Sequence, residues 1–198
     1  MESAALFWVF GFGRKSKSAV AEANRVLGRP ITQPSREIPD YAPGALTRLR
    51  ARWSTAPYPT LFFGAPNVRT TLGGIAVRCR ERSVRARRIV LEDHGLPGLV
   101  FVGTDALTLT TLAEHRPSFE HLRPYLAANC ELVLMHCQVM ADGGAFGRAL
   151  SAMIGCPVIG MDVDQVIGNQ SIEGTAYRCT PTSTEPIGAI DRAVLHFD

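Results

Sequence analysis

Apolar positions along the chain fall into short unbroken runs separated by amphipathic stretches. Leu6 to Phe10 is a continuous apolar run of buried-strand length, followed by a loop with Gly11 and Gly13. Ser18 to Leu27 switches to helical spacing through Val20, Ala23 and Leu27, with Gly28 and Pro30 as stop signals. Ala45 to Trp53 predicts a second helix, and Thr60 to Phe63 a short strand closed by Gly64. Leu72 to Ala86 predicts an arginine-rich helix, and Ile89 to Leu91 a strand running into Glu92-Asp93-His94-Gly95. Leu99 to Val102 and Ala106 to Leu109 flank Gly103-Thr104-Asp105 and predict a hairpin. Pro117 to Ala128 predicts a helix, Leu132 to Met135 a strand ending at His136-Cys137, and Gly144 to Ile154 a helix. That helix carries Phe146, Leu150, Met153 and Ile154 on one face, and Pro157 to Ile159 is the last core strand. Pro30 to Pro43 and Asn169 to Pro186 are rich in turn-forming residues and predict loops. Buried strands alternating with helices predict an α/β fold, a three-layer sandwich with a mainly parallel sheet.

Composition narrows the class. The chain has 198 residues, 46% apolar and 20% charged, which suits one soluble domain spanning 1–198. The apolar run Ala4 to Phe12 is nine residues long, far short of the roughly twenty a bilayer requires, so no membrane partner is expected. It lacks the flanks of a signal peptide. A net charge of +3 is too mild to imply nucleic acid. Five cysteines (Cys79, Cys130, Cys137, Cys156 and Cys179) leave at least one thiol free, and a reduced cytoplasmic chain is the expectation, with delivery as an effector left open.

Candidate chemistry sits at two strand ends. In open parallel sheets ligands bind beyond the carboxyl ends of the strands. His94 follows one predicted strand and Cys137 another, so neighbouring strands would bring a base and a thiol into one crevice. Gly95 would let backbone approach a substrate, and the amides of Gly95 and Cys137 could hold an oxyanion. Cys79, Cys130, Cys156 and Cys179 lack such a partner and read as structural. Cys130, His136 and Cys137 lack the short cysteine pair of a zinc site, so no metal is expected. Asp93 reads as a surface carboxylate, since successive residues on an extended chain point apart.

From Ile89 to Gly160 the chain resembles the caspase-like cysteine peptidases (clan CD), and most of all the bacterial DUF4347 domain. The likeness rests on Ile-Val-Leu-Glu-Asp-His94-Gly95, on the turn His94-Gly-Leu-Pro-Gly98, and on Leu-Val-Leu-Met-His-Cys137. Asp142-Gly-Gly-Ala-Phe-Gly147 and the stretch Ala152 to Ile159 extend it. The self-cleaving cysteine peptidase domains of large bacterial toxins look similar too. The resemblance implies a caspase-like fold and a hydrolase, a thiol protease cleaving a protein or peptide substrate through His94 and Cys137, with no cofactor. Relatives carry a small residue or glycine before the nucleophile. Here it is His136, which reads as a packed or rim histidine rather than a catalytic one, although a ring there could crowd the oxyanion hole or add a second base. Two alternatives are a catalytically inactive caspase-like domain that binds a protein partner, and another thiol acyl-transfer enzyme.

Two charged features remain. Arg78, Arg80, Arg82, Arg85, Arg87 and Arg88 form a dense basic run in which 78, 82 and 85 would share a helix face. A solvated face is the simpler reading; a polyanion activator is the sharper one, since the toxin relatives are switched on by inositol phosphates. Asp162 and Asp164 follow the last core strand and are candidate substrate-binding residues that would favour a basic side chain.

Overall fold

The structure, a computed structural model, describes residues 4–11, 13–32, 60–164 and 174–188. The expected helix Ala45 to Trp53 and most of the Pro30 to Pro43 loop lie outside the described residues. Strand β1 (Ala4–Gly11) leads to helix α1 (Lys17–Leu27), β2 (Thr60–Ala65), α2 (Val68–Arg82) and β3 (Arg85–Glu92). A small sheet follows, made of β4 (Gly95–Leu96), β5 (Leu99–Val102) and β6 (Asp105–Leu107). Then come α3 (Arg116–Leu122), β7 (Leu126–Met135), α4 (Ala145–Ile154), β8 (Val158–Met161), β9 (Ala176–Cys179) and β10 (Thr184–Gly188).

The main sheet has the order β10-β9-β8-β7-β3-β1-β2. The run from β2 through β1, β3 and β7 to β8 is parallel, and β9 and β10 are added antiparallel. Passing from β1 to β2 moves one way across the sheet; every later parallel step moves the other way. Parallel crossovers are right-handed, so α1 falls on the face opposite α2, α3 and α4. The core agrees. Phe7 and Val9 of β1 share one apolar cluster with Ile75 of α2, Phe119 of α3 and Phe146 of α4. Ala19 and Ala23 of α1 pack separately with Leu99, Phe101 and Ala106 of the small sheet. The chain is thus α/β with a mixed sheet, compatible with a three-layer sandwich. Each fully buried Phe or Leu contributes about 1.5–3 kcal/mol to this packing.

Local signals explain most element ends. Ser16 caps α1 by accepting from the Ala19 N–H, and Gly28 closes it in the left-handed region. Asn67 caps α2 by accepting from the Thr70 N–H at 2.8 Å, so this helix starts earlier than expected. It ends at Ser83, which adopts φ 52° and donates its N–H to the carbonyls of Arg80 and Cys79. That stop divides the basic run. Arg78, Arg80 and Arg82 lie on α2 while Arg85, Arg87 and Arg88 lie on β3, so Arg78, Arg82 and Arg85 do not share a helix face. Pro124 turns the expected long helix after Pro117 into α3 and a short 3-10 turn, and β7 begins already at Leu126. The stretch expected as a loop up to Pro186 contains the antiparallel pair β9 and β10.

Candidate active site

The sequence-predicted pair is assembled by register. Glu92 at the end of β3 pairs with Met135 at the end of β7, so His94 and Cys137 are equivalent positions beyond two adjacent parallel strands. Neighbouring strands lie roughly 4.8 Å apart. Gly95 confirms the closeness. A Cβ on it would meet the Cys137 carbonyl oxygen at 2.6 Å and the Cys137 amide nitrogen at 3.1 Å. Only glycine admits this approach. Cys137 is half-buried, whereas Cys79, Cys130, Cys156 and Cys179 are buried. The juxtaposition concerns backbone positions.

Backbone pairing orients Gly95. The Phe101 N–H donates to the His94 carbonyl at 3.0 Å, which makes Gly95 and Val100 a non-hydrogen-bonded pair of β4 and β5. The Gly95 N–H therefore points away from β5.

Beyond Cys137 the chain turns sharply. Gln138 has φ 53°, in the left-handed region that costs most residues about 1 kcal/mol or more. Two bonds hold it there. Its N–H donates to the Val163 carbonyl at 2.9 Å, and its side-chain amide donates to Asp164 Oδ1 at 2.9 Å. Asp142 then closes the turn by accepting from the Gly144 and Phe146 N–H groups at the start of α4. Asp164 is exposed and stands beside the Cys137 turn. Asp162 is used differently: it accepts from the Thr175 N–H and the Tyr177 hydroxyl, both at 3.1 Å, tying the end of β8 to β9.

His136 does not crowd the crevice. It is fully buried, and its Nε2–H donates to the Phe101 carbonyl at 2.9 Å. The neutral ring then keeps its lone pair on Nδ1, which is buried without a hydrogen-bond partner. Burial pushes the His136 pKa down to about 4, with the Asp93 carboxylate opposing.

Asp93 corrects the expectation of a surface carboxylate. It is 3% exposed. Lys15, from the loop after β1, bonds both of its oxygens at 2.8 and 2.9 Å, and its side chain is equally buried. Asp93 also accepts from the His94 N–H at 2.7 Å and the Gly103 N–H at 2.8 Å. It therefore fixes the backbone that carries His94. The space is tight, since a Cβ on Gly11 would fall 2.1 Å from Asp93 Oδ2. The Lys15 ammonium also stands 5.1 Å from the Phe101 ring centre. Sequence reading missed Lys15 and Gln138. The one signal for Lys15 is its place in the loop after β1, beside the point where the sheet order reverses.

No protein-family model matches the chain, and no curated protein matches it. No helix among the described residues is long and apolar enough to cross a membrane.

Proposed function

We propose that the chain is a caspase-like cysteine peptidase acting through Cys137 and His94. The observation that supports this best is the side-by-side placement of His94-Gly95 and Cys137 at the ends of β3 and β7, with Gly95 too close to Cys137 for a side chain. Cys137 sulfur attacks the scissile carbonyl, and His94 takes the thiol proton and gives it to the leaving amine. The Gly95 and Cys137 amides hold the developing oxyanion. Water, deprotonated by His94, then breaks the thioester and frees Cys137. In the free enzyme His94 and Cys137 need not touch, since catalytic hydrogen bonds often tighten only around substrate.

Asp164 supports a preference for a basic substrate side chain, because it is the exposed carboxylate bonded to Gln138, next to Cys137. Asp162 contributes by holding the β8 end through Thr175 and Tyr177. An anionic activator would meet Arg87 beside Arg88 and Arg178, which share the Glu131 carboxylate, around a cavity of about 300 Å³ at the strand ends remote from Cys137.

The test is intact-protein and peptide mass spectrometry after incubation with a peptide library, comparing the chain with Cys137→Ala. Cleavage by the unmodified chain alone establishes the peptidase and its preference. If Cys137 alkylates much faster than the other four cysteines near neutral pH yet nothing is cleaved, acyl transfer replaces hydrolysis. No cleavage together with slow alkylation makes it an inactive binding domain.

A further inference from the structure

Cys130 and Cys156 lie at the end of β7 opposite Cys137. The parallel ladder pairs Leu132 with Val158 and Val133 with Ile159, and the Leu132 N–H donates to the Pro157 carbonyl at 2.9 Å. Two residues back along both chains, that register sets Cys130 across from Cys156. Strand alternation turns both side chains to the same face, where they join Leu132 and Val158 in one apolar cluster. Neighbouring strands hold Cα atoms roughly 4.8 Å apart, within the roughly 4.4–6.8 Å that a disulfide spans. Both thiols are free, 1% and 8% exposed respectively. The neighbouring Cys156 side chain and burial hold the Cys130 thiol well above the usual range, and Cys130 Sγ donates to the Glu131 carbonyl at 3.9 Å.

We propose that Cys130 and Cys156 are a redox-active dithiol that closes to an intramolecular disulfide when the protein meets a peroxide. Cys156 reacts first, because it is the more exposed thiol and Cys130 is held protonated by its neighbour. Its sulfur attacks one peroxide oxygen; the O–O bond breaks, giving a sulfenic acid and, for hydrogen peroxide, water. Cys130 then attacks the oxidised sulfur, the S–S bond forms, and a second water leaves with the thiol proton. Each disulfide consumes one peroxide and two thiol hydrogens. The product links β7 to β8 and encloses the Cys137 turn and α4, so it clamps the frame of the candidate site without using Cys137. Cys79, which also lies close enough to influence Cys130, is the competitor the geometry disfavours, since it comes from α2 and not from the neighbouring strand.

The experiment treats the full chain with hydrogen peroxide, unfolds it in denaturant with an alkylating agent, and maps the digest without reductant. The expected result is that Cys130 and Cys156 leave the alkylatable thiols together, in one cross-linked peptide pair, whatever the oxidation state of Cys137. The melting temperature should rise by about 5 °C and return on adding dithiothreitol. Cys156→Ser should abolish both effects. Recovery of Cys130 and Cys156 fully alkylated, or a bridge that instead uses Cys79, Cys137 or a second molecule, would overturn the proposal. The mapping needs only the unmodified protein, so a poorly folding variant leaves it decisive. Peptidase failure would not bear on it, because Cys137 takes no part.

Discussion

A methyl group at position 95 would lie 2.6 Å from the Cys137 carbonyl oxygen and 2.7 Å from His136 Cβ. Neither is the flexible tip of a side chain, so the backbone itself must move. We expect Gly95→Ala to cost about 1–3 kcal/mol in urea unfolding and to abolish peptide cleavage, by pushing the His94 loop from Cys137. Unchanged stability would show that the two loops stand further apart. His136 gives a pH signature. Its folded pKa lies near 4 against an ordinary value near 6.5, because burial disfavours the imidazolium. The unfolded chain therefore binds the proton first. This contribution is complete above pH 6.5 and is lost as pH falls towards 4, by about 3 kcal/mol in all. His136→Gln keeps a donor for the Phe101 carbonyl and cannot titrate. Its urea midpoint should fall less between pH 7 and pH 4 than that of the parent. Parallel curves would mean that the ring takes up its proton without unfolding.

At the scale of elements, a buried ion pair joins the loops after β1 and β3. Lys15 and Asp93 have side chains only 3% and 2% exposed, and Asp93 also carries the N–H groups of His94 and Gly103. Asp93→Ala would strand a buried ammonium and two backbone donors. We expect a loss of about 3–5 kcal/mol by urea denaturation. Adding Lys15→Met should recover part of it, since the uncompensated charge goes while the backbone donors stay unmet. No recovery in the double variant would place the cost in the backbone bonds alone. The partners are 78 positions apart, which explains why sequence reading set Asp93 on the surface. His94, Gly95 and Cys137 were legible because each follows an apolar run and needs no distant partner to be noticed. The end of α2 was not, since Ser83 stops the helix through a left-handed turn without glycine or proline.

For the molecule as a whole, the parallel part of the sheet was legible and its antiparallel edge was not. The parallel strands β1, β3, β7 and β8 each carry a short unbroken apolar run, and these runs are buried in the core beneath the helices. In contrast β10 (Thr-Glu-Pro-Ile-Gly) is mostly exposed and borders the sheet, where proline and polar residues are tolerated. What fastens this edge to the centre is partly electrostatic. Glu131 of β7 accepts from Arg88 of β3 at 2.7 Å and pairs with Arg178 of β9, spanning the sheet just before β8 begins. Burial pushes the Glu131 carboxyl up, but the Arg88 hydrogen bond and the two guanidinium charges outweigh it and hold the pKa below the usual carboxylate range. Its stabilisation is thus present above the ordinary carboxylate pKa near 4.5 and is lost as pH falls below it. Glu131→Gln keeps the shape but leaves two arginines facing each other. We expect a loss of about 1–3 kcal/mol at pH 7, shrinking towards zero at low pH as the parent protonates. Cys137 is six residues further along the chain from Glu131, about 20 Å for an extended strand. Its alkylation rate should therefore stay unchanged in Glu131→Gln. A slowed Cys137 would show instead that the two ends of β7 are mechanically coupled, and that a clamp at the remote end, ionic or disulfide, reaches the candidate nucleophile.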